Sequence, residues 1–381
     1  MDCSFTKEQL EIQDTIRRAA ERDLAPLVKE AERTETCPLE VFKWAAAQGI
    51  LGINFPTEYG GAGLDKVTSM LVIEELGRVN SGFAGSVMSQ SGVATEAILR
   101  FGSEEQRRKY LPSTFKGEAI AGIAMTEPDT GSDISNLRTT AQPDGNGFRL
   151  NGAKIFASNA TIASYMTIVA RLPGTSGRNG ISLFIVDTNN PGFKRASPIK
   201  KLGHRTQDTG QFTLEDAWVD SDCVIGELGK GLSYVQSVLT SGRLDYASRS
   251  NGVSQSAFEK AIKYAKERRT FGNPIAKYQA IRFKLARMAM DIEASRSLLL
   301  RAAWMYDQGM EMEREASMAK LFSAEVAQRV TWESLQIHGA YGYTREFEIE
   351  SLFRDARLFT ISEGTSEMQQ IMIARSLGLD S

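Results

Sequence analysis

Acid–base chemistry in this 381-residue sequence has few histidines to work with. There are two, His204 and His338, and neither stands in an HExxH or CxxC-type spacing, so no metal site is expected. A serine hydrolase would need one of them, and no G-x-S-x-G elbow accompanies either. Carboxylates are the groups that remain. Glu363 lies in "TISEGTSEMQQIMIAR" (360–375), beside a glycine in a short polar turn and directly before a strongly helical stretch. Three readings fit it: a solvated loop charge, a helix-dipole partner, or a general base. Gly364 lets the chain turn tightly. Ser366 with Gln369 has the form of a helix cap, which would leave Glu363 free for other work.

Four other stretches pair residue types with a chemical use. "AMTEPDTGSD" (124–133) offers backbone N–H groups and two hydroxyls, Thr126 and Ser132, at a turn shaped by Gly and Pro. These suit a polar heterocycle or a thioester-bearing chain, although an ordinary interdomain loop has the same composition. "KIFASNA" (154–160) places Phe156 two residues before Ser158, so on a strand they share a face. An aromatic plane beside a hydroxyl suits a flat redox ring. "KERRTFG" (266–272) sets Arg268 and Thr270 before Phe271 near a helix end, where a phosphate is readily held. "LQIHGAYGY" (335–343) puts Gln336 before Gly339-Ala340, where backbone can approach a pyrophosphate closely. Asp245 and Arg249 are spaced i and i+4, which on a helix favours a mutual salt bridge.

The elements that must position these residues change character twice. Residues 1–120 carry helical patterns, opened by Thr6 and Gln9 in a capping-box arrangement, with Leu10, Ile16 and Leu24 following in register. Residues 121–230 hold short β-rich runs ("FRLNGAKIFAS", "YMTIVARL", "ISLFIVD", "QFTLEDAWV") between Gly, Asn, Pro and Asp clusters, as in a small antiparallel sandwich or barrel. Residues 231–381 return to long helices, with Ile281, Leu285, Met288 and Ile292 forming an apolar stripe suited to an up-down bundle. The expected fold is thus mostly α with a central β domain. With 42% hydrophobic residues the chain can bury a large core, and a net charge of −2 argues against nucleic acid or anionic membrane as a partner. Cys3, Cys37 and Cys223 are too sparse for a disulfide framework and fit a cytoplasmic protein. No apolar run has the length of a membrane span, and the N-terminus has no apolar core of the signal-peptide kind.

Taken together, "TEPDTGSD", "KIFASN", "ERRTFG", "QIHGAYGY" and "EGT" follow one another in the order seen in the acyl-CoA dehydrogenase family, which the whole chain resembles. The resemblance implies an N-terminal α domain, a central β domain, a C-terminal four-helix bundle, and a homotetramer with one FAD per subunit. Thr126 and Ser158 then match the hydroxyls that bond the flavin ring, with Phe156 packed beside it and Ser132 near both flavin and thioester. Arg268, Thr270, Phe271, Gln336 and Gly339 match the set that reaches the FAD of an adjacent subunit, and Thr365 a contact to its diphosphate or adenosine part. Glu363 matches the catalytic base, with Arg243 and Gly364 near the substrate. The implied reaction is α,β-dehydrogenation of an acyl-CoA, with electrons leaving to an electron-transfer flavoprotein. An acyl-carrier-protein substrate, or a flavin oxidase or monooxygenase, are the alternatives.

Three departures bear on the substrate. The position before the base, often tyrosine in fatty-acyl members, is Ser362. The branch that takes glutaryl-CoA has an arginine and a serine where Ala84 and Met88 stand, which argues against a dicarboxylate unless Arg249 substitutes. The alternative seat for a base, just before Arg243, is Gly242. His204 is expected at a surface or interface.

Overall fold

A computed structural model describes residues 5–195 and 197–379; Cys3 lies outside them. Seven helices come first: α1 Lys7–Asp23, α2 Ala25–Thr34, α3 Glu40–Ala47, α4 Lys66–Val79, α5 Ser81–Ser89, α6 Thr95–Phe101 and α7 Glu104–Phe115. The capping box at Thr6 forms, with Gln9 N–H donating to Thr6 Oγ1 (3.1 Å) and Thr6 N–H to Gln9 Oε1 (3.0 Å). Ile16 and Leu24 are buried as the register requires, whereas Leu10 turns out to solvent. α4 is buried along nearly its whole length, which is why its sequence lacks a clean polar face.

Eight strands follow: β1 Ala121–Ala124, β2 Thr140–Asp144, β3 Gly147–Ser158, β4 Tyr165–Arg171, β5 Ile181–Asp187, β6 Phe193–Arg195, β7 Thr209–Asp220 and β8 Val224–Ile225. They form one sheet in the order β6-β7-β3-β2-β4-β5-β8, with β1 also on β4. The pairing is antiparallel, as expected of a small antiparallel sandwich or barrel, except where β1 and β2 meet β4 in parallel. β4 and β5 are buried on both faces. This explains their continuous apolar runs, since alternation is lost when neither face meets water.

The remainder is α8 Gly231–Glu267, a small hairpin of β9 Arg269–Thr270 with β10 Asn273–Pro274, then α9 Gln279–Asp307, α10 Glu313–His338, α11 Ile349–Ala356 and α12 Ser366–Ser376. α8 packs on α10, α9 and also α4, tying the bundle to the first helices. Small residues on its buried stretch (Ala247, Ser250, Gly252, Ser254, Ala257) allow this close approach. At Gly252 an added Cβ would meet the Glu74 carbonyl oxygen at 2.2 Å. Among the described residues no helix is long and apolar enough to cross a membrane, and Cys37 and Cys223 are free thiols.

Candidate active site

Glu363 sits where two short turns meet the long helices. Its own backbone is left-handed (φ +57°), and Gly364 continues the turn at +83°. A non-glycine residue in that region is strained by roughly 1–3 kcal/mol and persists only when its surroundings impose it. Here they do. Lys320 Nζ, on α10, donates to the Gly364 carbonyl at 2.6 Å. Gln369 Nε2 donates to the carbonyls of Glu363 (3.1 Å) and Gly364 (3.0 Å). The helix cap is Thr365, whose Oγ1 accepts from Met368 N–H (3.3 Å). The expected Ser366–Gln369 cap is therefore corrected: Gln369 is spent on the turn, and Ser366 Oγ is buried without a partner. Glu363 is free of capping, as reasoned, but through its neighbour on the other side.

The carboxylate points inward. Glu363 Oε2 is shut away from water and has no hydrogen-bond partner among the described residues, and it lies 3.0 Å from where a Cβ on Gly242 would stand. Burial, followed by the negative charge of Asp245, pushes its pKa up; the cations of Lys320, Arg249 and Arg243 act against this. These cations are themselves desolvated: burial brings Lys320 down to about 8 and lowers Arg243, which reaches only Ser317 Oγ at 3.4 Å. A carboxylate with one oxygen buried and unpartnered, and with its pKa raised, is compatible with accepting a proton from a group held against it. The burial of Oε2 argues against a fully solvated loop charge.

On the other side of the site, the 124–133 loop is pinned from below. Lys154 is fully buried and pairs with Glu127 at 2.7 Å. The same carboxylate accepts the N–H groups of Arg138 (2.5 Å) and Thr139 (3.0 Å). Thr126 uses its carbonyl to accept Ile155 N–H (3.0 Å), leaving its hydroxyl uncommitted, and Ser132 is exposed at the loop tip. Phe156 is 61% exposed in a left-handed conformation (φ +57°) at a bulge in the β3–β7 ladder. That bulge breaks the two-residue alternation on which a shared face with Ser158 was reasoned. An exposed aromatic, a half-buried serine and a free threonine hydroxyl along one loop and strand make a cradle that fits a planar heterocycle. Ser158 Oγ accepts from Gln207 Nε2 (3.0 Å), and Gln207 Oε1 with Arg249 Nη1 converges over Gly85. Arg249 in turn lies over Tyr246, whose hydroxyl meets Ser362 Oγ. A continuous run of contacts thus links the cradle to the residue beside Glu363. Tyr246 thus meets the small side chain beside Glu363 through its hydroxyl.

Two sequence readings are overturned nearby. Asp245 pairs with Lys66 on α4 at 2.5 Å, not with Arg249. His204 is wholly buried: its N–H donates to Asp355 Oδ1 (2.6 Å), and its ring faces Ser81 Oγ and Phe359. Burial holds its imidazole neutral and pushes Asp355 up to about 7.

Arg268, Thr270, Phe271, Gln336 and Gly339 form a separate group. The Arg268 guanidinium lies over the Tyr341 ring (5.6 Å), bringing the 268–273 and 339–343 turns together at one end of the bundle. Thr270 gives its carbonyl to Tyr278 Oη (2.8 Å), and Phe271 is 95% exposed at φ +51°. Gln336 and Gly339 are exposed, and nothing lies within 4 Å of a Cβ placed on Gly339.

Lys320, Gln207, Tyr246 and the Glu127–Lys154 pair were not singled out as site residues beforehand. The one signal for Lys320 is a lysine interrupting a run of small residues (Ala316, Ser317, Ala319, Ser323, Ala324) on α10.

A loop-and-strand cradle that fits a planar heterocycle and an inward carboxylate are compatible with a flavin dehydrogenase, and the sequence agrees with that class throughout. It matches the acyl-CoA dehydrogenase N-terminal domain over residues 6–118, the middle domain over 122–217 and the C-terminal domain over 229–378. It is 39% identical to the 3-(aryl)acrylate reductase of Clostridium sporogenes, covering 98% of this chain and 99% of the relative. It is 37% identical to the caffeyl-CoA reductase-Etf complex subunit CarC of Acetobacterium woodii, covering 98% and 99%. The butyryl-CoA dehydrogenase structure from Megasphaera elsdenii superposes with a TM-score of 0.96 at 33% identity, covering 99% of this chain and all of that one. The chain belongs to the acyl-CoA dehydrogenase family. It is an oxidoreductase acting on acyl-CoA, and FAD is its cofactor.

Proposed function

We propose that the protein oxidises a saturated acyl-CoA to the trans-2-enoyl-CoA, with Glu363 as the base that removes the α-proton. The observation that carries this reading is the Glu363 carboxylate itself: inward, unpartnered at Oε2, and raised in pKa by burial. The α-proton of a thioester is weakly acidic, so the base must be close, poorly solvated and aimed. Bound FAD supplies a two-electron acceptor for the hydride leaving the β-carbon. Thr126, Ser132, Phe156 and Ser158 would hold the flavin and the thioester arm. The N–H of Glu363 would donate to the thioester carbonyl, with Gly364 shaping that turn and Arg243 near the CoA arm. Lys320 keeps the turn fixed and limits how far the base's pKa rises.

The exposed group of Arg268, Thr270, Phe271, Gln336 and Gly339 is read as the part that meets the FAD of a second subunit in a homotetramer, with Thr365 at the diphosphate. Their exposure at one end of the bundle supports this. Electron-transfer flavoprotein is the proposed acceptor, in keeping with the relative described as a reductase–Etf complex subunit, and a cytoplasmic setting suits both partners. Purified holoenzyme and its Glu363→Gln variant, mixed with butyryl-CoA while the visible flavin band is followed, test the central step. Bleaching in the first and its loss in the second, at equal FAD content, is the expected result. Unchanged bleaching in the variant would place the base elsewhere.

A further inference from the structure

Arg249 is a cation with no described anion. It is 3% exposed on α8, no carboxylate oxygen of the described residues lies within 4.0 Å of its nitrogens, and its Nε is buried without a partner. The acids that surround it are engaged elsewhere or at longer range. Asp245 is held by Lys66 at 2.5 Å, Asp355 accepts the His204 N–H at 2.6 Å, and Glu363 stands beyond Tyr246 and Ser362. The rings of Tyr246 (4.7 Å) and Phe359 (5.3 Å) lie together on one side of the guanidinium, their own centroids 5.3 Å apart. The Nε edge of its fork has no partner, and that edge is left to recognise something.

That edge is kept clear by sequence. A Cβ on residue 85 would stand 2.0 Å from Arg249 Nη1 and 2.4 Å from Gln207 Oε1, so Gly85 is what admits the guanidinium between α5 and α8. The location is also that of the reacting end of the site. Residues 242 and 249 are seven apart and fall on one helix face, about 10.5 Å along the axis, and Gly242 is the residue that abuts Glu363 Oε2. Arginine side chains on a helix lean back toward its N-terminus, that is, toward Gly242. A desolvated guanidinium without an anion is costly, and a ligand oxyanion bonded to its fork offsets that cost.

We propose that Arg249 is the specificity-determining residue of the acyl pocket, and that the acyl group this enzyme takes ends in a carboxylate bound at the Arg249 edge. This rests on the dehydrogenase reading above. The Ala84 and Met88 positions, which argued against such a substrate, are thereby answered from the facing helix.

The test compares succinyl-, glutaryl- and adipyl-CoA with butyryl-, valeryl- and hexanoyl-CoA on the FAD-loaded enzyme, measuring kcat/KM by dye-coupled flavin reoxidation. At least one ω-carboxyacyl-CoA should exceed its neutral counterpart by about tenfold or more. Arg249→Gln should lower that value about a hundredfold, mainly through KM, and lower the neutral chains far less, their loss falling on the acid side of the kcat profile because Arg249 also holds down the Glu363 pKa. Arg249→Lys should fall between, because an ammonium keeps the charge and loses the fork. Neutral chains oxidised as well as the carboxylated ones, with Arg249→Gln affecting both series alike, would overturn the assignment while leaving the dehydrogenase reading intact. Failure of every thioester to bleach the flavin would instead remove the reading beneath it. If the Arg249 variants lose FAD, spectral titration of the oxidised wild-type enzyme with the two series decides, a tighter constant for the carboxylated series supporting the proposal and equal constants refuting it.

Discussion

Two turns in this chain share an unusual backbone and differ in everything around it. Glu363 (φ +57°) and Phe271 (φ +51°) are both left-handed without being glycine. The first is held by Lys320, Gln369 and the Thr365 cap, all from the same chain, and its carboxylate faces inward. The second is 95% exposed, on a two-residue hairpin supported by Tyr278 and one ring contact from Arg268 to Tyr341. Strain held from within marks work that one subunit completes alone. Strain at the second presents a bare aromatic ring to solvent, at the face that the proposed second subunit would cover.

Breaking the inward turn should have the largest effect. Glu363→Gln is expected to lower flavin reduction by about 10²–10⁴-fold, the worth of a positioned general base, with FAD retained. The same variant sharpens the contrast through stability. Because burial raises the folded pKa of Glu363, the stabilisation it contributes is present below its unfolded value and is lost as pH rises through the folded one. Glu363→Gln should therefore melt higher than wild type at neutral pH, as read by calorimetry, and equal wild type under mildly acidic conditions. A lower melting point at neutral pH would contradict the burial argument.

Next in size, Lys154→Met strands Glu127 beneath the 124–133 loop. Removing one partner of a buried pair costs about 3–5 kcal/mol, so chemical denaturation should show a loss of that order together with FAD release. A loss below about 1 kcal/mol would mean that Glu127 simply protonates. At the outward turn, Arg268→Ala should weaken FAD retention about tenfold, the order of one charge-assisted hydrogen bond, and reduce assembly mass in light scattering. Unaltered FAD content and mass would erase the distinction between the two turns. The smallest expected effect is in a pH profile. Lys320 lowers the pKa of Glu363, so Lys320→Met should move the acid limb of kcat to higher pH, activity falling as pH drops through the raised value.

What was legible in the sequence follows the range of the interactions involved. The α–β–α order and the strongly patterned helices were visible because their cause is local periodicity, and Glu363 was visible because its turn is written in consecutive residues. The Lys66–Asp245 pair was not, since its members are 179 residues apart, while the i, i+4 rule offered Arg249 as a nearer and wrong partner. His204 gave no hint of burial, because its acceptor contacts come from α5 and its backbone bond from α11. The face shared by Phe156 and Ser158 was misjudged for a different reason: a bulge is set by the partner strand, and alternation along one strand cannot reveal it.

The contact between Gly242 and Glu363 limits how this pocket is able to change over evolutionary time. Two positions, far apart in the chain, meet so closely that a Cβ on Gly242 would stand 3.0 Å from Glu363 Oε2 and 3.1 Å from Val93 Cγ2. An acid arriving on the long helix before the first has left would crowd a like charge, so the two would hold one proton between them. Under the role proposed for Glu363, a base seated on the helix at residue 242 would therefore call for loss of the loop carboxylate as well.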